Sequence, residues 1–62
     1  MLDRKPKIGD KLLYRESEAY TVVGYYNHSD DKILHLQDGK GDITQIIWQF
    51  HDGKTNNLLS FA

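Results

Sequence analysis

Apolar residues along this chain gather in five short runs separated by polar or glycine-containing connections: Lys11 to Arg15, Ala19 to Tyr26, Lys32 to Gln37, Ile43 to Phe50 and Asn57 to Phe61. β-Branched and aromatic side chains dominate the longer runs, with Tyr20, Thr21, Val22, Val23, Tyr25 and Tyr26 in one and Ile43, Thr44, Ile46, Ile47, Trp48 and Phe50 in another. Such residues suit a pleated, half-buried surface. His35 sits between Leu34 and Leu36, so a period of two places it on the face opposite those leucines. Asp38-Gly39 and Asp52-Gly53 lie between apolar runs. This is the signature of a tight hairpin whose type I′ turn needs positive φ at both central residues. Glu16-Ser17-Glu18 and the loop Asn27 to Asp31 supply the other connections. The pattern predicts an all-β fold of five antiparallel strands arranged as a meander.

Gly24 interrupts the longest run. Glycine inside a strand marks a bend or bulge, the device by which one strand serves two sheets of a small barrel. The segment from Ile43 to Phe50 admits a second reading. Ile43, Ile46, Ile47 and Phe50 also fall at helical spacing, and Asp42 with Gln45 resembles a capping box. Strand is favoured, because the isoleucines and Thr44 lower helix propensity and Asp52-Gly53 suits a hairpin. The single proline, Pro6, precedes the first run and leaves the later ladder free of proline. Residues 1–7 read as an amino-terminal arm and residues 8–62 as one barrel domain.

The segments Ile8-Gly9-Asp10, Leu13-Tyr14, Ala19-Tyr20, Leu34 to Leu36 and Asp38-Gly39-Lys40-Gly41-Asp42 together resemble the Tudor and other SH3-like barrels, over roughly Ile8 to Ile47. That family tends to open with Gly-Asp, to start its second strand with an aromatic pair and to place an acidic, glycine-containing turn after its third. The resemblance implies a five-stranded, strongly bent barrel that recognises peptides or, in some relatives, nucleic acid. Tudor domains that read methylated Arg or Lys hold the cation in an aromatic cage. The matching positions here are Tyr14 and Tyr20, whereas Ala19 and Gly39 stand where the family places aromatic residues. The barrel shape is what carries over, without the methyl-reading activity.

A chain of 62 residues supports one domain and one core. Folding at this size buries only about 60% of the surface the unfolded chain exposes. With no cysteine, disulfides and thiolate metal sites are both removed, which leaves apolar packing or homo-oligomerisation to supply stability. The opening Met1-to-Asp10 segment has no apolar run of the kind a leader needs, and no stretch approaches the ~20 apolar residues of a spanning helix. A cytoplasmic setting with no membrane partner is expected, and the sequon Asn27-His28-Ser29 is then a chance match. Eight basic residues face nine acidic ones, so the basic surplus of a phosphate-binding surface is missing. Arg4, Lys5, Lys7, Lys11 and Arg15 do cluster at the start, but Asp3 and Asp10 dilute them, and the cluster reads as a solvated arm.

The residues that could carry chemistry do not form working constellations. His28, His35 and His51 lie seven and sixteen residues apart, without metal-ligand spacing. Gly53-Lys54-Thr55 would need glycine where Trp48 stands to complete a phosphate loop. Asp38, Asp42 and the pair Asp30-Asp31 do not match a calcium loop. Ser17, Ser29 and Ser60 have no nucleophile motif around them, and His28 beside Ser29 is adjacency only. No enzyme, no cofactor and no metal are expected. A small domain rarely forms a water-excluding cleft, so an active site shared between subunits would be the one catalytic route.

The aromatic residues say more. Phe50, Phe61 and one of Tyr25 and Tyr26 are the expected core members, since adjacent residues of a strand face opposite sides. By the same parity Trp48 and Phe50 share a face while Ile47 takes the other, so this strand is either buried on both sides or offers one side to a partner. Tyr14, Tyr20, Tyr25, Tyr26 and Trp48, with Asp38 and Asp42 of the acidic turn, form the expected binding set. Exposed tyrosine and tryptophan supply large contact area at low entropy cost. The function expected is a non-catalytic protein- or peptide-binding module, whose edge strands could also pair with a partner strand. The alternatives are a nucleic-acid-binding barrel that stacks bases on the same tyrosines and a small regulatory or inhibitor subunit of a larger complex.

Overall fold

The computed structural model describes residues 2–27 and 30–62. It contains β1 (Lys11–Tyr14), β2 (Glu18–Asn27), β3 (Asp30–Gln37), β4 (Ile43–Ile47) and β5 (Leu59–Phe61), and no helix among the described residues. The expected all-β class and five antiparallel strands are observed. Their order in the sheet is β4-β3-β2-β1-β5. The first four strands follow the meander, but β5 leaves it and returns to β1, pairing Leu12 with Phe61, Leu13 with Ser60 and Tyr14 with Leu59. Among the described residues β4 and β5 do not pair with each other, so the sheet is not closed.

Alternation builds the core. Leu12, Val22, Leu34, Leu36 and Leu59 are fully buried, and Leu2 and Trp48 join them. Tyr14, Tyr20, Tyr25, Ile46 and Phe61 pack against this cluster. His35 is held between Leu34 and Leu36 on the opposite face, as its period requires, and pairs with Gln45. Ile43–Ile47 is a strand because it has a partner: each of its residues pairs with one of β3, from Ile33 opposite Ile47 to Gln37 opposite Ile43. Pairing across the sheet overrides the helical spacing. Beside Gly24 the β2–β3 register slips by one residue between Val22 and Gly24, which is the expected bulge, and it slips again between Tyr25 and Asn27. The expected loop from Asn27 to Asp31 overlaps both strands, since β2 runs through Asn27 and β3 begins at Asp30. The readings made for His28 and Ser29 fall outside the described residues.

The two acidic-glycine turns lie where predicted but are built differently. In the first, the Gly41 N–H donates to the Asp38 carbonyl (3.2 Å) and the Asp38 N–H to the Asp42 carbonyl (3.0 Å). Gly41 carries the positive φ of 92°. This is a three-residue hairpin, a type I turn closed by a left-handed residue. Asp38 sits at its start, where Oδ1 accepts the N–H groups of Lys40 and Asp42. In the second, the Gly53 N–H donates to the Phe50 carbonyl and the Phe50 N–H to the Lys54 carbonyl, with Gly53 at φ 85°. In both turns the glutamine ahead of the turn, Gln37 or Gln49, donates its side-chain amide to the carbonyl of the left-handed glycine. This second hairpin also breaks the parity expected for Trp48 and Phe50. The strand ends at Ile47, Trp48 enters the core at 7% exposure, and Phe50 turns outward at 41%.

The arm is solvated on its charged side only. Leu2 and Pro6 are buried, and the Tyr25 hydroxyl donates to the Pro6 carbonyl at 2.6 Å. The Arg4 guanidinium lies 3.9 Å from the Phe61 ring centroid, and the Lys5 ammonium 5.0 Å from that of Tyr25.

A strained connection joins β1 to β2. Arg15 and Glu16 take φ of 53° and 64°, a left-handed region that costs a side-chain-bearing residue roughly 1–2 kcal/mol. Replacing Glu16 by Gly relieves that cost, so Glu16→Gly raises stability by about 1 kcal/mol, or a melting temperature higher by about 4–8 °C. Gly41→Ala, which creates the same strain in the first hairpin, lowers it by a similar amount. Thermal unfolding followed by circular dichroism checks both signs.

Candidate functional site

The strained turn sits at one end of the β1–β2 pair, where several of the candidate residues meet. Tyr14 pairs with Glu18, and Leu12 with Tyr20, so the two tyrosines are diagonal neighbours on the core-facing side of the pair. Both are half-buried against the core. The Tyr20 hydroxyl donates to Glu18 Oε2 at 3.2 Å. The Arg15 guanidinium stands 5.5 Å from the Tyr14 ring centroid, within cation–π range. Its backbone is pinned as well, because the Arg15 N–H donates to the Leu58 carbonyl at 2.8 Å and extends the β1–β5 ladder into the turn.

Alongside Tyr20 runs a groove of about 370 Å³ lined by Lys11, Ala19, Tyr20, Thr21, Gln37, Asp38 and Gly39. That volume is at the lower end of ligand sites. The Lys11 ammonium donates to Thr21 Oγ1 at 2.7 Å. The groove therefore offers a fixed cation, a carboxylate at Asp38 and one aromatic residue. Partial burial, the hydrogen bond to Glu18 and the negative charges of Glu18 and Asp38 together raise the Tyr20 phenol above the ordinary tyrosine range. The hydroxyl is thus a donor throughout the neutral range.

Tyr14, Tyr20 and Asp38 come together here, with Asp42 exposed at the far end of the Asp38 turn. The other candidates are dispersed. Tyr25 is occupied by the arm through its hydroxyl and its ring. Tyr26, 60% exposed, meets His35 edge to face at 6.3 Å on the outer side of the sheet. Trp48 is a core residue rather than an exposed contact. Glu18, Lys11, Thr21 and Gln37 were not singled out from sequence. Glu18 reads there as part of a polar connection, and only the register that places it opposite Tyr14 brings it to the tyrosines.

Among the described residues no group of His, Asp or Glu is placed to hold a metal ion. His35 is engaged by Tyr26 and by the Gln45 amide at 3.3 Å. No family model, curated protein or solved structure matches the chain.

The raised Tyr20 titration gives a signed expectation. A phenol that is neutral and hydrogen-bonded in the folded state stabilises the fold below the unfolded value of about 10. That contribution is lost as pH rises through the higher folded value. In an absorbance titration of tyrosinate formation, Tyr20 gives a component above the ordinary tyrosine range. Tyr20→Phe removes that component, and Glu18→Gln moves it downward.

Proposed function

We propose that this chain is a non-catalytic protein- or peptide-binding module on a small SH3-like, Tudor-like barrel, and that its Tyr14–Tyr20 corner takes a cationic side chain of the partner. The barrel reading draws support from the return of β5 onto β1 and from the length of β2, ten residues with two register slips against β3. Bulges bend a strand and increase its twist, which is what allows one strand to serve both halves of a curled sheet.

The observation that carries the ligand reading is the environment of Tyr20. Tyr14 is its diagonal neighbour across the β1–β2 pair, its hydroxyl is bonded to Glu18, and Asp38 adds a second negative charge. The neighbouring Tyr14 already attracts the guanidinium of Arg15. An arginine or lysine of an extended peptide laid along the groove would meet the Tyr20 ring and the Asp38 carboxylate that line it. A carboxylate of that peptide would meet Lys11. Nucleic-acid binding draws less support, because Arg4, Lys5, Lys11 and Arg15 are each engaged locally, three of them on aromatic rings.

An arginine-containing peptide should bind about 2- to 30-fold more tightly than the same peptide with glutamine in its place, the range spanned by a cation–π contact of about 0.5–2 kcal/mol. Glu18→Gln and Tyr20→Leu should each erase most of that preference, and added salt should reduce it. Ring-proton NMR shifts of Tyr14 and Tyr20 report the contact directly. Equal binding of the two peptides, or shifts confined to Tyr26, would dispose of the proposed ligand.

A further inference from the structure

The sheet ends on one side at β4, which among the described residues pairs with β3 alone. The direction of its free backbone groups follows from the ladder. The Trp48 N–H donates to the Lys32 carbonyl, and the Asp38 N–H to the Asp42 carbonyl. In an antiparallel pair, hydrogen-bonded and non-bonded positions alternate. Residues 44 and 46 of β4 therefore turn their N–H and C=O groups towards β3, while Ile43, Gln45 and Ile47 turn theirs away from the sheet. The Ile47 carbonyl is capped by the Asn56 side-chain amide at 2.9 Å, which agrees with this direction. Ile43, Thr44 and Gln45 are exposed whichever face their side chains take, so the rest of the chain does not cover the edge at that end.

Open edges are usually blunted by charge, proline, a bulge or shortness. The segment Ile43-Thr44-Gln45-Ile46-Ile47-Trp48-Gln49-Phe50 contains no charged residue and no proline, and the pairing of β3 with β4 runs without a register slip. The opposite edge differs. β5 is three residues long, and the Arg4 guanidinium is stacked on its Phe61.

We propose that β4 is a self-association edge, to which a second copy of this chain adds its own β4 antiparallel with Gln45 facing Gln45 across a two-fold axis. The choice of a second copy rests on the symmetry of the segment itself. Reversed about Gln45, Ile43-Thr44-Gln45-Ile46-Ile47 sets isoleucine against isoleucine at both ends and the two glutamine amides against each other at the centre, with no like charges opposed. Two-fold interfaces require this kind of self-complementarity. The pairing satisfies the outward N–H and C=O of Gln45 and Ile43, and it shields Ile43, which is 60% exposed in the single chain. Ile47 joins through its N–H, and its carbonyl has a second lone pair beside the one that Asn56 occupies. An edge of five residues buries less than the ~1,200 Å² of a stable interface, so the association is weak, with a dissociation constant between micromolar and millimolar.

Sedimentation velocity of the full chain from micromolar to millimolar concentration tests the edge, and charge at the axis tests the register. The wild type should shift from monomer to a species of twice the mass. Gln45→Lys and Gln45→Glu should each associate roughly fivefold more weakly, because like charges then stand directly opposite. An equimolar mixture of the two should recover the dimer. Gln45→Pro, which removes the outward N–H at a position where an edge strand tolerates proline, should stay monomeric while keeping the β circular-dichroism spectrum. The proposal is overturned by a wild type that stays monomeric throughout, even if it captures an extended foreign peptide, or by one that grows past the dimer. Wild-type-like association of either charged variant, or a mixture that stays monomeric, overturns it equally.

Discussion

The return of β5 to β1 is the contact on which the other features depend. It places Leu59 and Phe61 beside Tyr14 and Leu12, so that the carboxy-terminal strand closes one side of the core above Leu12. It carries the ladder one residue further at each end, through the Arg15 N–H to the Leu58 carbonyl and the Ala62 N–H to the Lys11 carbonyl. The first of these bonds ties the backbone of Arg15, whose guanidinium stands beside Tyr14, to the carboxy-terminal segment. The same topology leaves β4 with no partner beyond β3. The backbone anchor of Arg15 and the open edge of β4 therefore both go with one non-local pairing.

A sheet this small cannot rely on its central leucines alone. Among the described residues the largest fully buried side chains are Leu12, Leu34, Leu36, Leu59, Val22 and Pro6, and the chain has no disulfide to reinforce them. The arm compensates in part. Leu2 and Pro6 extend the core, the Tyr25 hydroxyl fixes the Pro6 carbonyl, and Arg4 and Lys5 lie on the rings of Phe61 and Tyr25. Each cation–π contact at an exposed site contributes about 0.5–1 kcal/mol, modest singly but appreciable against the few kcal/mol a domain of this size retains.

Local features of the fold were legible in the sequence, and non-local ones were not. The alternation of Leu34, His35 and Leu36 fixes their faces, and Gly24 marks the bulge, because both depend on neighbours in the chain. Asp38-Gly39 and Asp52-Gly53 locate the turns, yet the left-handed residues are Gly41 and Gly53. The first turn has two glycines to choose between, and three-residue hairpins need only one. Whether Ile43–Ile47 coils or extends could not be decided from its own spacing, since the deciding contacts lie on β3. The return of β5 leaves no mark on local pattern. Trp48 belongs to the core because the second hairpin breaks the strand parity beyond Ile47, and Glu18 meets the tyrosines only through the β1–β2 register; neither is marked in the local pattern. The resemblance points to Tyr14 and Tyr20 and to the acidic turn that holds Asp38, but their meeting with Glu18 depends on register and is not written in the local pattern.

The distribution of charge over the rings is what sets Tyr20 apart in the proposed corner. Four aromatic residues pack partly buried against the core: Tyr14, Tyr20, Tyr25 and Phe61. Three of them carry a cation supplied by the chain, Arg15 on Tyr14, Lys5 on Tyr25 and Arg4 on Phe61. Tyr20 is surrounded instead by Glu18 and Asp38, with no cation on its ring among the described residues. A ring with a cation on it is electrostatically satisfied, whereas a ring beside carboxylates sits in a negative potential that its own quadrupole reinforces. Neutralising Glu18 would weaken that potential without disturbing the packing of the ring, which separates the electrostatic role of the corner from its structural one. On the proposed reading, an incoming cation would be drawn to Tyr20, the ring of these four that holds no cation among the described residues.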